Sequence, residues 1–451
     1  SSRSRHTRCG WLSRGLGDVY KRQALHRMDW LLAALALFNL VSMIIVFSPR
    51  AVPRKAVPWA LFGTALLATE LAWIWLPLQA LLAWLFALGG ATDSWLGSLA
   101  MFVLWVSWLG LAWSIWMSTK AEASVEDALL SGLGYDYRRR IPLEIQSNIR
   151  QEVRFSDWCK PWSMRRPDVE VLKHIPYGPA GVRQQLDIYR PRVIPEGGCP
   201  VLLQIHGGAW MMGDKGGQAL PLMYEMASRG WICVAANYRL SPSVSYPVHL
   251  QDCKKALCWV RENGEEYGMD TRFVAVTGGS AGGHLTAMMG LTANDPALQP
   301  DHPDVDTTVQ AAIPFYGVYD FLVRYDQHPN EKVYQRFLAG KVIHETLEDN
   351  PELWDSASPV ARIREDAPPF MVLHGTHDSL AVVNEGRVFS RKLREESNNP
   401  VVYVEMPGAE HAWEIIHSQR TEHTVDGVHR FLEWVRANAE PATDPGAAST
   451  P

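Results

Sequence analysis

The sequence predicts an α/β fold with a mostly parallel sheet, preceded by a helical transmembrane region. After about residue 165, short apolar runs of strand type alternate with helical patterns. This alternation is typical of a parallel sheet with helices on both faces. Before residue 118, long apolar runs carry almost no charge, as helices in a lipid bilayer do.

Composition divides the 451 residues into five parts. Residues 1–27 are basic, polar and without pattern, and we interpret them as a non-native leader, with the natural start at or near Met28. The remainder is predicted to form a transmembrane region, a polar juxtamembrane connector, an α/β domain and a disordered tail rich in Pro, Ala, Thr and Ser. These four parts cover residues 28–118, 119–165, 166–438 and 439–451.

Three uncharged stretches predict about three transmembrane helices. The first runs from Trp30 to Phe47 and is about as long as a bilayer core requires. The second lies at about 57–76, where Pro77 divides it from an interfacial or helix-extending piece to Leu88, and the third runs from Trp95 to Met117. Helices of a soluble bundle would show a polar face, and these stretches have none.

Lysine and arginine are unevenly distributed between these stretches. The 48–55 loop is basic, whereas the 89–98 loop has no basic residue. Since basic loops stay in the cytoplasm, three spans would place the C-terminal domain there, and two or four would place it outside. Glu70 is the one ionisable residue of the second stretch, and it is either functional in the membrane or pairs helices.

An antiparallel opening hairpin and six core strands are predicted in the α/β domain. The strands are Val169–Ile175, Gln185–Tyr189, Val201–Ile205, Ile232–Ala236, Phe273–Thr277, Val309–Pro314, Phe370–Leu373 and Val401–Glu405. Helices are predicted at about 217–229, 250–264, 282–293, 382–397 and 421–437. An irregular, helical and aromatic-rich piece covers about 318–360.

The stretch from Val274 to His284 carries the strongest chemical signal. An apolar strand runs into a G-x-S-x-G pattern centred on Ser280, and helix-forming residues follow. This order places the serine on a sharp strand-to-helix turn, where its hydroxyl stands clear of the backbone. The turn strains the serine backbone, and side chains at 278 and 282 would collide with neighbouring backbone. We predict Ser280 as a nucleophile.

A serine hydroxyl needs a base, and the base needs an acid that orients it. Asp378 and His411 each follow a predicted strand, so that the chain order is Ser, Asp, His, each on a loop after a strand. We predict His411 as the general base and Asp378 as its partner, with Asp320 as the alternative acid. Other nearby histidines are worse placed, on the aspartate loop or in a predicted helix: His374, His377 and His417.

A glycine pair ends another predicted strand. Amides in such a turn can converge on one point, as an oxyanion hole requires. Three amides are predicted as donors, those of Gly207, Gly208 and Ala281. His206 is predicted to brace this loop and Trp210 to line the substrate pocket or pack beside it. Glu410, next to the predicted base, is predicted to face solvent.

Together these motifs resemble those of α/β-hydrolases of the esterase/lipase group that includes the hormone-sensitive-lipase-like enzymes. The resemblance rests on HGGAW, NYRLSP, GGSAGGH, FYGVYD, HGTHD and EHAW. It implies an α/β-hydrolase fold with an eight-stranded sheet, a cap insertion at about 318–360, and ester cleavage through an acyl-enzyme. Two departures, Ala209 and Gly279, are more similar to small carboxylesterases and kynurenine-formamidase-like enzymes, and leave ester versus amide specificity open.

Several functional alternatives remain at this point. An acyltransferase would use the same triad, and an amidase or arylformamidase-like hydrolase fits the same motifs. A degenerate, non-enzymatic module is disfavoured because all three triad residues are present. The predicted substrate is a small-molecule or lipid-like ester met beside the lipid bilayer. A formal net charge of -5 favours no nucleic-acid partner, no metal or cofactor is predicted, and the oligomeric state stays open.

Overall fold

The computed structural model describes residues 28–47, 58–150, 152–328 and 330–438. The predicted leader, the basic 48–55 loop and the predicted tail lie outside these residues. The chain divides into two compact units, with the boundary between Met117 and Ser118.

Apolar helices form the first unit. They are α1 Met28–Phe47, α2 Pro58–Glu70, α3 Ala72–Leu88 and α4 Trp95–Ser118. Among the described residues, α1 and the helical run that begins at Trp95 are long and apolar enough to cross a membrane. Helices α2 and α3 meet at a bend of 91°. They add a third possible span only if the two helices together count as one span.

The break between α2 and α3 lies at Leu71 and not at Pro77, so the predicted position was wrong. Leu71 leaves the helical region with φ −106° and ψ 15°. Pro77 lies inside α3, in its second turn. A proline removes one hydrogen bond and crowds one earlier carbonyl, and this local cost is tolerated in an otherwise continuous apolar helix.

Buried polar groups of the first unit bond across its helices. Gln79 donates to Asn39 Oδ1 at 2.6 Å and accepts from the indole of Trp108 at 3.1 Å. Gln79 and Asn39 are fully buried, whereas Phe102 is 63% exposed. Polar groups inside and apolar groups outside are the arrangement that a lipid environment favours. Glu70 is also buried and faces the interior of this unit.

An eight-stranded sheet forms the centre of the second unit. Its strands are β1 Val169–Pro176, β2 Gln185–Pro191, β3 Cys199–Ile205, β4 Ile232–Ala236, β5 Met269–Gly279, β6 Ala311–Phe315, β7 Phe370–Gly375 and β8 Val401–Met406. The spatial order is β1-β2-β4-β3-β5-β6-β7-β8. Strand β2 pairs with β1 on one side and with β4 on the other in antiparallel fashion, and the remaining pairs are parallel. The predicted mostly parallel sheet is thereby confirmed.

Helices cover this sheet and carry the chain between its strands. The longer helices between and after the core strands are α8 Leu220–Ser228, α9 Val248–Asn263, α10 Ala281–Leu291, α13 Val383–Glu396 and α14 Gln419–Asn438. Every residue of α10 is buried, as expected of a helix that has no polar face. The predicted cap segment contains α11 Glu331–Leu338, a π-helical turn and α12 Pro351–Ser356.

The segment predicted as a connector belongs to the second compact unit. It contains α5 Ala121–Leu133 and two one-turn helices, α6 Leu143–Gln146 and α7 Phe155–Trp158. Helix α5 packs on β8 and α14. A Cβ atom at Gly427 would lie 2.4 Å from Val125, so the glycine permits this close approach. The sequence indicated helical character here, but not that the helix completes the core of the α/β domain.

Candidate active site

Ser280 stands between the end of β5 and the start of α10, with a backbone φ of 61° and ψ of −121°. Two glycines make this strained turn possible. A Cβ atom at Gly278 or Gly282 would lie 2.4 or 2.1 Å from the carbonyl oxygen of Ile205 in β3. The predicted collisions at both positions are therefore present. In a strand-to-helix turn of this kind the serine hydroxyl stands clear of the backbone, as a nucleophile requires.

Tyr316 lies against both the serine turn and the predicted base. A Cβ atom at Gly279 would lie 2.4 Å from the Tyr316 hydroxyl, which explains why no acidic side chain precedes the serine. The Tyr316 ring lies 4.4 Å from the His411 ring, centroid to centroid. Its hydroxyl donates a hydrogen bond to Glu414. Tyr316 thus links the turn that carries Ser280 to the loop that carries His411.

Asp378 and His411 form a buried pair at the ends of β7 and β8. His411 Nδ1 lies 2.7 Å from Asp378 Oδ2. The other carboxylate oxygen of Asp378 accepts the amides of Leu380 at 2.9 Å and Ala381 at 2.7 Å. His374, in β7, lies 3.4 Å from Asp378 Oδ2 through Nε2. These contacts fix the carboxylate and engage Nδ1 of His411.

The two groups shift each other's proton affinity. Burial by itself raises the pKa of Asp378, but the charge of His411 and the hydrogen bonds of two histidines hold it well below its ordinary value. Burial by itself lowers the pKa of His411, yet Asp378, Glu410 and Glu414 together raise it above its ordinary value. An ionised Asp378 stabilises the imidazolium that forms when His411 takes a proton.

Asp320, the alternative acid, pairs with an arginine and not with His411. Asp320 Oδ1 lies 2.7 Å from Arg324 Nη1, and Asp320 Oδ2 also accepts the Arg324 amide at 2.6 Å. His417 was predicted to lie in a helix, and that prediction is wrong: it lies in the loop before α14, where its Nδ1 contacts Glu422 Oε1 at 2.5 Å. The geometry therefore pairs His411 with Asp378 and leaves Asp320 with its arginine.

The glycine-rich loop after β3 lies beside the serine. A Cβ atom at Gly207 would lie 3.0 Å from Ser280 Cβ. Gly208 has a φ of 115°, and a Cβ atom there would lie 2.2 Å from the carbonyl oxygen of Met212. Only glycine fits such a position.

The predicted donor Gly207 requires a correction. Its amide already donates to Oε1 of Gln218 at 2.6 Å. The amides of Gly208 and Ala281 make no hydrogen bond among the described residues. The same holds for the amide of Ala209, which sequence reasoning did not select, and whose φ of 54° continues the turn. Of the three predicted donors, Gly208 and Ala281 therefore stay candidates, and Ala209 is added to them.

His206 and Trp210 flank this loop. The His206 ring is fully buried, stacks on Tyr238 at 4.4 Å, and places Nδ1 2.8 Å from the Gly207 carbonyl oxygen. Burial lowers the pKa of His206 to about 4, so it is neutral and holds the loop. The buried Trp210 ring packs edge-on against His284 and Phe321, and its part in substrate binding stays a prediction.

Glu410 was predicted to face solvent, and that prediction is wrong. Its side chain is buried, and Oε1 accepts the amides of Ser379 at 2.7 Å and His411 at 2.9 Å. A glutamate in a loop has no periodicity that would indicate burial. Its position directly before the predicted base was the one available signal.

The mostly parallel eight-stranded sheet, with a strained serine between a strand and a helix and a buried Asp–His pair after the last two strands, defines an α/β-hydrolase fold. The comparisons agree. The profile of the BD-FAE family matches residues 186–393. The chain is 48% identical over 276 residues to the probable carboxylic ester hydrolase LipM of Mycobacterium tuberculosis, across 61% of this chain and 63% of LipM.

Esterase LipQ of the same organism is 40% identical over 320 residues, across 70% of this chain and 75% of LipQ. Among solved structures, esterase B of Lactobacillus rhamnosis matches with a TM-score of 0.50 and 20% identity, across 70% of this chain and 97% of that one, and so shares the fold. The chain belongs to the esterase/lipase group of the α/β-hydrolase superfamily. Its match spans somewhat less than two thirds of LipM.

Proposed function

We propose that this protein is a membrane-anchored serine hydrolase that cleaves carboxylic esters through an acyl-enzyme. The observation that carries the proposal is the 2.7 Å bond between His411 Nδ1 and Asp378 Oδ2. It sets the imidazole tautomer, and Tyr316 lies against both that imidazole and the turn that carries Ser280. The names of LipM and LipQ, a probable carboxylic ester hydrolase and an esterase, support the reaction class.

The steps follow from these groups. Ser280 Oγ attacks the ester carbonyl while His411 Nε2 takes the hydroxyl proton. The His411 imidazolium, stabilised by Asp378, then gives that proton to the leaving alcohol, and an acyl-serine remains. Water attacks the acyl-serine, again with His411 as the base, and the carboxylic acid and free Ser280 are released.

The oxyanion formed in both halves needs amide donors. We assign this role to Gly208 and Ala281, with Ala209 beside them, because their amides have no other acceptor among the described residues. Removing one such donor typically costs about 3 kcal/mol of barrier. The buried Gly207 amide, bonded to Gln218, serves to hold the loop.

Membrane anchoring rests on the apolar helices of the first unit. We infer three spans, with α2 and α3 together as one, and a catalytic unit in the cytoplasm, from the Lys/Arg asymmetry of the sequence. Protease digestion of sealed vesicles tests this orientation: a cytoplasmic domain in inside-out vesicles is cleaved, and one in right-side-out vesicles is protected.

An anchored hydrolase meets apolar esters that partition into the bilayer, so lipid-like esters are the proposed substrate class.

The full chain in detergent tests the mechanism. A fluorophosphonate probe should label the wild type, and Ser280→Ala should abolish both labelling and p-nitrophenyl ester turnover. Ser147→Ala, at an exposed serine, is the matched control and should label normally. Turnover that persists in Ser280→Ala would refute the mechanism. Amide substrates and a competing alcohol acceptor, assayed in parallel, separate ester hydrolysis from amidase and acyltransferase activity.

A further inference from the structure

Glu410 connects the two loops that carry the acid and the base. Its Oε1 accepts the amide of Ser379, the residue after Asp378, at 2.7 Å. The same oxygen accepts the amide of His411 at 2.9 Å. One carboxyl oxygen therefore ties the backbone of the base to the backbone beside the acid.

Burying this carboxyl group destabilises the folded state. Glu410 is fully buried, and its second oxygen has no hydrogen-bond partner among the described residues. No arginine or lysine pairs with it among those residues. Burial, and then the nearby charge of Asp378, raise the pKa of Glu410 to about 7. A buried polar atom that lacks a partner destabilises a protein.

We propose that Glu410 is a positioning residue of the hydrolase site: its Oε1 clamps the His411 loop to the Asp378 loop and so keeps the imidazole at bonding distance from its acid. The proposal rests on the proposed function. The two loops follow different strands, β7 and β8, and the amide of His377 already donates to the carbonyl oxygen of Ala409 at 3.0 Å. The pair of amide bonds to Glu410 adds a second link, directly after Asp378 and at His411, where a small displacement would lengthen the hydrogen bond between acid and base.

The charge of Glu410 adds a second, separable effect. The titratable groups around His411 are Asp378, Glu410 and Glu414, with Tyr316 against its ring and His374 on the far side of Asp378. A negative Glu410 raises the pKa of His411. Removing that charge while keeping the two amide bonds should move the acidic limb of the pH profile to lower pH, because His411 then loses its proton more readily.

Three variants of the full chain in detergent separate these effects. Glu410→Gln keeps a carbonyl oxygen for both amides and should retain kcat, with an acidic limb of kcat/KM at lower pH. Glu410→Leu removes the acceptor and should lower kcat and the fluorophosphonate labelling rate by about 10- to 100-fold, with little change in KM. Glu433→Gln, at a buried carboxylate bonded to Trp231 at 2.7 Å, is the control and should leave the pH profile in place.

The outcomes are distinct. Glu410→Leu with the kcat and pH profile of the wild type would overturn the proposal. If Glu410→Leu does not fold, as judged by thermal unfolding, Glu410→Asp decides, because its shorter side chain keeps the charge but cannot reach both amides. A folded Glu410→Asp with a reduced kcat supports the clamp, and one with unchanged kcat refutes it. Failure of the proposed function is recognised separately, since the wild type itself would then turn over no ester.

Discussion

The side-chain oxygen Oε1 of Gln218 accepts a hydrogen bond from the amide of Gly207 at 2.6 Å. Gly207 lies directly beside Ser280, so Gln218, eleven residues along the chain, fixes the first peptide of the oxyanion loop. With that peptide turned toward Gln218, the next amides of the loop stay without a partner. Gln218 thus determines which amides can meet an oxyanion.

Replacing this acceptor should slow the chemistry. In Gln218→Ala, the Gly207 amide loses its partner, and the loop loses about 1 kcal/mol of hydrogen-bond stabilisation. We expect kcat to fall by about tenfold, with a smaller change in KM, because the donors are displaced in the transition state. Steady-state turnover of a p-nitrophenyl ester and the rate of fluorophosphonate labelling measure the effect.

Gln218→Glu is the matched variant, because its carboxylate can still accept the Gly207 amide. It also places a negative charge beside the developing oxyanion, and kcat should therefore fall further than in Gln218→Ala while the melting temperature changes little. Wild-type kcat in Gln218→Ala would show that the loop holds its conformation without this side chain.

The contacts of Asp378 and Asp320 predict different losses on neutralisation. Asp378→Asn keeps the shape of the side chain but cannot stabilise the His411 imidazolium, so kcat should fall by about 10³- to 10⁴-fold. Asp320→Asn weakens the pair with Arg324 and should lower the melting temperature while kcat stays within a few-fold. Parallel kinetics and thermal unfolding of both variants test this assignment. A larger loss of kcat in Asp320→Asn than in Asp378→Asn would reverse it.

The strands and the positions of the catalytic groups follow from local sequence. The turn around Ser280 is predictable because its glycines and its strand-to-helix order leave few other conformations. Asp378 and His411 are predictable because each follows a strongly apolar run that forms a strand, and parallel strands place their carboxyl ends at one edge of the sheet. These inferences need only the period of the apolar residues and the order of the motifs along the chain.

The remaining features depend on contacts between distant segments. The orientation of the Gly207 amide depends on Gln218, and the burial of Glu410 depends on the loop after β7. The sequence predicts the break at Pro77, because proline is the strongest local helix breaker. The observed break at Leu71 depends on tertiary packing, which a local pattern does not contain. Helix α5 was not recognised as part of the core, since it packs on β8 and α14, which lie far along the chain. Val125 of α5, for example, lies against Gly427 of α14.

Helix α5 leads to a prediction about the smallest stable fragment. Five apolar residues of α5 are buried: Ala121, Val125, Ala128, Leu129 and Leu133. Arg150, after the helix, binds Glu225 at 2.8 Å and Glu422 at 2.7 Å. Removal of these contacts should cost on the order of 5 kcal/mol, since burying one Val or Leu side chain contributes about 1.5–3 kcal/mol. That loss is comparable to the whole stability of many domains.

A fragment of residues 118–451 should therefore unfold cooperatively, and a fragment of residues 166–451 should aggregate or melt at a much lower temperature. Thermal unfolding followed by circular dichroism distinguishes them. Val125→Asp within the longer fragment is the point control and should reproduce part of the loss. Equal melting temperatures for the two fragments would show that α5 contributes nothing to the core.

Glu385 predicts how stability depends on pH. This buried side chain accepts the amides of Tyr319 at 2.9 Å and Asp320 at 3.2 Å, and its other oxygen has no partner among the described residues. Burial, and then the charge of Asp320, raise the pKa of Glu385 to about 8. The folded state therefore binds this proton more tightly than the unfolded state does. By linkage, the free energy of unfolding falls as pH rises from about 4.5 to about 8.

Glu385→Gln removes this titration while keeping a carbonyl oxygen for the two amides. The melting temperature of the variant relative to the wild type should therefore be higher at pH 8.5 than at pH 5.5, by several degrees for a stability difference of a few kcal/mol. Glu405→Gln, at a half-buried carboxylate that pairs with Arg387, is the control and should show no such rise with pH. A difference for Glu385→Gln that is the same at both pH values would mean that Glu385 is ionised in the fold throughout this range, and that its burial is compensated by groups other than the two amides.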